Sequence, residues 1–403
     1  MRKIAIFNPS RFFDLENTVS VFKYGSTIRS NVAFNTRMHD FIVVIDGGLE
    51  KAIKWHQMMM TDYPYHYSRI SIFGPKYISK FQRFSKLCPI FYNSCVIANE
   101  KKVIKYGVIS KDDLANALTN WTSPFVLNRF QKMIFPVGVI DTYLQSLILQ
   151  CDAQTARLFL LSLCEDDIFD RIECDHNLEN SSINFKNQER KVSLLEFLRK
   201  IVNSSYAGDI RFLFNDNSIK LSENELYDSL PFLTARYLPF IINYFQNNKS
   251  GFAIEGANLS TLNELYKLAK SITDRMAFNL MKNPMSGMNS EFCVSEDWNL
   301  FIKLFFNEKI TLKLPNEFKS RASRIAARKR LLKLLPINIL FSKYIYSLHH
   351  SALPWSPNVI DETIRRYNFK CSLLSVLKNI LSNFGRITFY IKYKLNQTVK
   401  HLD

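Results

Sequence analysis

A glycine, a serine and a later aspartate form the pattern in this sequence that best fits a chemical function. Gly25 and Ser26 follow the alternating apolar stretch 18–22, and Asp40 stands about 14 residues later at the start of another apolar run. A Gly-Ser turn after a strand can present backbone N–H groups and a hydroxyl to phosphate oxygens. An aspartate on a neighbouring strand can hold Mg²⁺ against the same phosphates. The pattern indicates a triphosphate site, although an ordinary structural turn is the commoner origin of such residues.

A second carboxylate at the spacing of a two-aspartate metal site is absent from the same strand. Met38 and Ile42 occupy the positions two residues before and after Asp40. Asp46 lies on the same side of the strand, but six residues at about 3.3 Å each place it roughly 20 Å from Asp40. Asp46 and the two glycines after it therefore predict a turn. A second metal ligand would have to come from elsewhere in the chain.

The composition excludes several classes of protein. The chain has 403 residues, 47% of them hydrophobic and 22% charged, which excludes an intrinsically disordered or collagen-like chain. Its seven cysteines include no Cys-x-x-Cys pair, so a disulfide scaffold and a zinc ribbon are both disfavoured. The length predicts two or three domains of ordinary size.

Positive charge is concentrated near the end of the chain. The formal net charge is +17, and residues 301–403 hold 19 Lys and Arg against 5 Asp and Glu, which is +14. The stretches 321–333 and 373–395 are basic and amphipathic, and no apolar run reaches the ~20 residues that span a bilayer. We therefore expect a soluble or peripheral protein whose C-terminal region docks on an anionic surface, either membrane or nucleic acid.

The pattern of apolar residues divides the chain into three parts. Residues 1–110 alternate strand-like runs, including 41–45, 71–75, 90–92 and 103–109, with a helix from residue 49 to 60, and so predict an α/β domain. Ser110 and Asp113 predict a capped helix start. Residues 111–300 read as a mainly helical domain, with a helix over 227–245 broken or kinked at its prolines, and 301–403 as a basic amphipathic helical region.

Taken together, ordered blocks of this sequence resemble the mitochondrial-type CTP:phosphatidate cytidylyltransferases, the translocator assembly and maintenance family. Eight blocks over about 190 residues appear in the family's order, which is more specific than any single motif. The blocks are Tyr24-Gly25-Ser26, the run 39–46, His66-Tyr67-Ser68, Phe73-Gly74-Pro75-Lys76, the run 105–110, Asn120-Trp121, Arg129-Phe130-Gln131-Lys132 and the run 205–211.

The resemblance implies a polymerase-β-like nucleotidyltransferase domain and the reaction of CTP with phosphatidate to give CDP-diacylglycerol and pyrophosphate, with Mg²⁺ as cofactor. It implies that Asp40 binds the metal and that Asp40, Lys105 and Asp209 are the catalytic residues. Asp209 is the candidate for the missing carboxylate, or else it pairs with Arg211. The substrate-binding residues that the resemblance implies are Tyr24, Gly25, Ser26, His66, Arg129, Lys132 and Arg211. The alternative for His66 is packing against the sheet.

The resemblance also implies partners and a location. The partners are CTP and phosphatidate in an anionic membrane, with no nucleic acid, for phosphatidylglycerol and cardiolipin synthesis; the oligomeric state stays open. The location is the matrix face of the mitochondrial inner membrane in a eukaryote, or the cytoplasmic face of the cell membrane in a bacterium. Two alternatives remain: a nucleotidyltransferase acting on RNA or a small molecule, and a non-catalytic basic scaffold for membrane or nucleic acid.

Overall fold

A computed structural model gives the architecture of most of the first three quarters of the chain. Of the residues considered above, Ser26, Asp209 and Arg211 lie outside its described part, as do the basic stretches 321–333 and 373–395. The described residues are 9, 11–25, 27–28, 38–63, 66–67, 73–84, 88–98, 103–174, 190–204, 217–247, 253–285 and 295–314.

A five-stranded mixed sheet forms the centre of the first unit. Its order is β3-β4-β2-β1-β5; β2 and β4 are parallel, and the other neighbours are antiparallel. The inner strands are almost entirely buried, which explains why they appear in the sequence as continuous apolar runs. The strands are β1 (Thr18–Tyr24), β2 (His39–Ile45), β3 (Phe91–Ile97), β4 (Val103–Ser110) and β5 (Ile134–Pro136).

Helices cover both faces of this sheet. Ile42 and Val44 face the helices α4 (Lys111–Asn120), α5 (Pro124–Phe130) and the first half of α6 (Thr142–Cys174). The alternate residues of β2 face α1 (Arg11–Asp14), α2 (Leu49–Asp62) and α3 (Gly74–Phe84). Because successive side chains of a strand point to opposite faces, the two cores are chemically separate environments.

A second core lies mainly between helices. A small antiparallel sheet, in the order β6-β8-β7, packs with four helices around buried residues such as Phe197, Leu233 and Leu265. The second half of α6 enters this core, so one helix belongs to both units. The elements are β6 (Arg190–Ser193), α7 (Leu194–Ser204), α8 (Asn217–Asn247), β7 (Ala253–Glu255), α9 (Leu259–Lys282), α10 (Glu296–Asn307) and β8 (Thr311–Leu314).

A buried lysine also connects the two units. Lys23 of β1 is fully buried, and its ammonium donates a hydrogen bond to the carbonyl oxygen of Pro284, just after α9, over 2.8 Å. Met285 beside it packs into the core on the α2 side of the sheet. The turn after α9 is therefore anchored to the first unit. None of the helices in the described ranges combines the length and the apolarity needed to span a bilayer.

The α/β class is confirmed, and the structure differs from several finer expectations. The first sheet extends past residue 110, because β5 pairs with β1. Residues 301–314 belong to the second core rather than to a separate region, since α10 and β8 bury apolar side chains there. Residues 74–75 are the start of α3 and Phe73 lies just before it, so 73–75 are not a strand, and a proline fits the first turn of a helix.

Two helix predictions had different outcomes. The capped helix start is confirmed, since the Ser110 hydroxyl accepts a hydrogen bond from the Asp113 backbone N–H at 3.2 Å. Of the expected break or kink at Pro231 and Pro239, the break is not present, because α8 continues through both prolines. Buried residues between the two prolines, such as Leu233 and Leu238, hold the helix by tertiary packing, which offsets the cost of proline in a helix interior.

His56 is a buried polar residue of α2 whose two ring nitrogens both have hydrogen-bonding partners. Its ring is fully buried, with Nδ1 2.9 Å from the Tyr67 hydroxyl and Nε2 3.2 Å from Gln82 Oε1. Burial lowers the pKa of His56 to about 4 because charging the ring here costs solvation. The imidazole is therefore neutral in the folded protein at neutral pH.

We predict that acid destabilises the fold through His56. Between its unfolded pKa near 6.5 and its folded pKa of about 4, only the unfolded chain binds the extra proton. Stability from this residue is complete above the upper value and is lost as the pH falls, by about 2 kcal/mol between roughly pH 7.5 and pH 5. Urea unfolding of wild type and His56→Gln at both pH values measures it. Equal pH dependence in the two proteins would contradict the assignment.

Candidate active site

Strand register places three of the predicted residues side by side. Tyr24 of β1 is paired with Asp40 of β2, and Asp40 is paired in turn with Lys105 of β4. The Lys105 ammonium lies 2.8 Å from Asp40 Oδ1, and the two side chains are only 10% and 15% exposed. A nearly buried ion pair thus stands at the end of the sheet where β1 finishes.

Gly25 is held against this ion pair. Its φ is +88°, and a Cβ placed on it would lie 2.4 Å from Asp40 Oδ2. Only glycine allows both the backbone angle and this approach. The turn continues through a hydrogen bond from the Ile28 backbone N–H to the Gly25 carbonyl oxygen at 3.2 Å. The carboxylate of Asp40 is therefore packed directly against the backbone of the predicted phosphate-binding turn.

Aromatic rings collect two cations beside Asp40. The Tyr24 ring has Lys105 Nζ at 5.9 Å and Arg129 Cζ at 5.4 Å from its centroid. Tyr92 lies 5.8 Å from the same lysine, and Phe125 lies 4.8 Å from the same arginine. Rings stabilise cations through their negative faces. The described rings therefore bring two cations beside the carboxylate of Asp40, an arrangement suited to a polyanion.

Lys132 is directed toward the second unit. Its backbone lies two residues before Ile134, which pairs with Tyr24, so it stands near the same end of the sheet. Its ammonium is 2.8 Å from Glu225 Oε2 of α8, and both side chains are largely buried. The structure therefore places Lys132 near the site and pairs its charge with α8.

Side chains of α8 also donate hydrogen bonds to the backbone at Gln131 and Lys132. Arg236 donates to the Lys132 carbonyl oxygen at 2.9 Å, and the Tyr237 hydroxyl donates to the Gln131 carbonyl oxygen at 2.8 Å. A second nitrogen of Arg236 is 2.5 Å from Asp152 Oδ1 of α6. Burial raises the pKa of Asp152 to about 6, opposed by Arg236, so the carboxylate is ionised at neutral pH. Asp152 in turn raises the pKa of Arg236 against the effect of burial.

His66 lies apart from these residues. Its Nδ1 is 2.9 Å from the hydroxyl of Tyr106, whose side chain faces the α2 side of the sheet, opposite to Lys105. The ring is stacked on Tyr63 with centroids 5.1 Å apart. Burial holds the pKa of His66 well below its usual value. The structure favours the packing alternative and does not bring His66 into the group around Asp40.

Asp46 behaves as the turn residue that the sequence predicts. Its Oδ1 accepts a hydrogen bond from the Gly47 backbone N–H at 2.8 Å, and its carboxylate pairs with Lys51. The hydrogen bond from Lys51 lowers the pKa of Asp46. It stands at the opposite end of β2 from Asp40.

The donor set fits Mg²⁺ only together with a substrate. Within the described ranges, no cluster of three or more His, Cys, Asp or Glu side chains could hold a metal ion. Mg²⁺ is commonly bound by one or two carboxylates, with substrate phosphates and water as the other ligands. Asp40, set against the Gly25 turn, can serve as such a carboxylate if a triphosphate supplies further oxygens.

Sequence reasoning missed the residues that surround this group. Tyr92 and Phe125 occur in apolar runs that gave no sign of a cation-binding role. Arg236 and Glu225 lie about 100 residues after the turn that they hold, inside a helix with no motif of its own. Only the pairing of a buried Arg or Glu with a distant opposite charge could have identified them, and the sequence does not encode that pairing locally.

Comparison with known proteins identifies relatives of this chain. Residues 11–174 match the family model described as "Phosphatidate cytidylyltransferase, mitochondrial". The resemblance seen in the sequence is thereby confirmed. The matched range includes Tyr24, Gly25, Asp40, Lys105 and Arg129, and it stops at the end of α6.

Individual relatives carry the same printed name. The protein from Schizosaccharomyces pombe is 28% identical over 222 residues, which cover 54% of this chain and 48% of that protein. The one from Danio rerio is 29% identical over 207 residues, covering 50% of this chain and 52% of the relative. The human one is 26% identical over 185 residues, covering 46% and 34%. The chain thus spans about half the length, or less, of the curated relatives it matches.

Gly25→Ala tests the close approach to Asp40. We expect it to destabilise the fold by about 2 kcal/mol or more, because a left-handed backbone angle and a clash with the carboxylate act together. Gly48→Ala is the matched control: its φ is +93°, but a Cβ there meets nothing within 4 Å. Chemical unfolding of both variants gives the comparison. Equal losses of unfolding free energy in the two variants would show that the Asp40 carboxylate moves aside at little cost.

Arg236→Met tests the contacts by which Arg236 of α8 holds Asp152 and the Lys132 backbone. We expect a loss of about 3 kcal/mol or more in unfolding free energy, because the variant leaves Asp152 buried without its partner. Arg199→Met is the control, since Arg199 pairs with Glu223 at 2.7 Å in a half-buried setting and should cost about 1 kcal/mol or less. Denaturant titration of both variants is the measurement. A loss no larger than that of the control would show that these contacts of Arg236 do not stabilise the fold.

Proposed function

We propose that this chain is a phosphatidate cytidylyltransferase, which transfers the cytidylyl group of CTP to phosphatidate. The observation that carries the proposal is the group of Gly25, Asp40 and Lys105, which lies inside the range that matches the family model. The names of the relatives support the choice of nucleotide and acceptor.

The chemistry of the reaction suits a site of fixed charges. A phosphatidate oxygen attacks the α-phosphorus of CTP, the bond from that phosphorus to the oxygen bridging to the β-phosphate breaks, and pyrophosphate leaves. A phosphate monoester is already ionised at neutral pH, so its attack does not require a general base. The work left to the protein is to bring two anions together and to neutralise the charge that develops.

Lys105 and Arg129 are the residues that supply this charge. The aromatic rings of Tyr24, Tyr92 and Phe125 contact these cations and hold them in place, and the rings carry no charge that would neutralise them. The Gly25 turn would approach the β- and γ-phosphates through its backbone, with Ser26 adding a hydroxyl. Asp40 would hold Mg²⁺, which supplies a further positive charge to the triphosphate. Asp209, Lys132 and Arg211 keep the roles that the resemblance implies.

We also propose a fold for the first unit and a location for the protein. The placement of the Gly25 turn and Asp40 on adjacent strands supports a nucleotidyltransferase-like first unit. The relatives' names support a mitochondrial protein, and a lipid acceptor supports peripheral attachment at the matrix face of the inner membrane. Two alternatives remain, a transferase for RNA or a small molecule and a non-catalytic scaffold. The first would transfer the label of CTP to an acceptor other than lipid, and the second would transfer no label.

The deciding experiment supplies CTP labelled at the α-phosphorus, Mg²⁺ and phosphatidate in mixed micelles. The proposal expects the label in the lipid phase and release of pyrophosphate in equal amount. Label appearing only in added RNA would establish the first alternative. No CTP-dependent release of pyrophosphate with any acceptor would leave the scaffold.

Asp40→Asn tests the central residue of the proposal. We expect kcat to fall by at least about a hundredfold, roughly 2.7 kcal/mol of barrier, because a neutral amide no longer balances Mg²⁺ or Lys105. Asp46→Asn, just after the same strand, is the control and should keep activity within about threefold of wild type. Label transfer and thermal unfolding are measured for both variants. Folded Asp40→Asn with activity within about tenfold of wild type would remove Asp40 as the metal ligand.

A further inference from the structure

The outward side of α3 carries aromatic rings and lysines where a solvated helix would carry mixed polar residues. Phe73, just before the helix, and Tyr77 are 67% and 44% exposed. Lys76 and Lys80 are exposed between and after them, so the four residues follow the spacing of one helix face. The opposite side, including Ile78, is buried. We refer to Phe73, Lys76, Tyr77 and Lys80 as the α3 ridge.

The rings of the ridge form a continuous row. The Phe73 and Tyr77 centroids are 5.0 Å apart, and Tyr77 is stacked on Phe81 with centroids 6.1 Å apart and planes within 8°. Single exposed apolar residues are normal on protein surfaces, but contiguous ones mark interaction sites. Phe73 and Tyr77 therefore present a contiguous exposed aromatic surface to a partner.

The lysines of the ridge are available for an anionic partner. Within the part of the chain that the structure describes, neither Lys76 nor Lys80 forms an ion pair, whereas Arg83 on the same helix pairs with Asp113 at 3.4 Å. Helix α3 contains no acidic residue. Aromatic rings beside lysines suit the boundary of a bilayer, where rings enter the headgroup region and ammonium groups meet lipid phosphates.

We propose that the α3 ridge is a docking surface for an anionic lipid bilayer. Phe73 and Tyr77 enter the interface, and Lys76 and Lys80 pair with headgroup phosphates. The identity of the partner rests on the proposed function, because a phosphatidate with two long acyl chains stays in the bilayer and the enzyme must come to it.

Flotation of the full-length protein on vesicles tests this surface. The vesicles are phosphatidylcholine with or without phosphatidylglycerol, so binding does not depend on turnover of phosphatidate. We expect Phe73→Ala/Tyr77→Ala to weaken partitioning about tenfold at both low and high salt, since ring burial is insensitive to salt. Lys76→Gln/Lys80→Gln should weaken it about tenfold only with the anionic lipid and at low salt.

A matched control stands on α9. Phe278 is 53% exposed, and Lys282 lies 4.3 Å from its ring centroid, so Phe278→Ala/Lys282→Gln removes the same chemistry from another surface. This variant should partition within about twofold of wild type. As a direct readout, Phe73→Trp should be quenched by nitroxide-labelled lipids above the level of the wild-type tryptophans, whereas Phe278→Trp should not.

The outcomes separate this surface from the proposed function. If both ridge variants float like wild type, or if they lose only binding to a single-stranded oligonucleotide, the docking surface is wrong. A short-chain, water-soluble phosphatidate should be turned over by the ridge variants at the wild-type rate. If wild type turns over no phosphatidate at all but the ridge variants still lose flotation, the proposed function fails and the docking surface stands.

Discussion

The alignment of Tyr24, Asp40 and Lys105 across three neighbouring strands is the constraint on which the rest of the site depends. Shifting any of the three strands by one residue would move its side chain to the other face of the sheet, among Val43, Tyr106 and the helices of that side. The packed cores on both faces fix the register, since a slip would move every side chain of a strand into the opposite core, where the packing does not fit it. The hydrophobic pattern of β1, β2 and β4 thus determines where the charges meet.

Once aligned, the charges are kept close by their surroundings. An ion pair that is only 10% and 15% exposed costs solvation, and the rings of Tyr24 and Tyr92 offset part of that cost for Lys105. Arg129 shares the Tyr24 ring and so brings a second cation beside Asp40. A site in this condition is prepared for an added anion, and α8 maintains it from outside the range of the family match by holding the carbonyl oxygens of Gln131 and Lys132.

The sequence predicts the local parts of this arrangement well and the distant parts poorly. The strand runs, the cap at Ser110 and the Gly25–Asp40 pair depend on neighbouring residues, and each can be read from a short window. Lys105 and Arg129 entered only through the resemblance to a family, because the partners that give them meaning are set by strand pairing. Arg236 was not foreseen at all, since a cation inside a long helix acquires its role only from contacts about 100 residues away.

The two faces of the sheet carry different kinds of polar group. The three histidines that the structure describes, His39, His56 and His66, belong to the face opposite Asp40, by strand alternation for the first and by packing for the others. Burial keeps His56 and His66 neutral, so they hold structure together instead of exchanging protons. On the site face, the described groups around Asp40 are a carboxylate, two cations and aromatic rings. The proposed reaction, whose nucleophile is already ionised, suits such a set, and its pH dependence should then follow the ionisation of the acceptor phosphate more than that of a protein base.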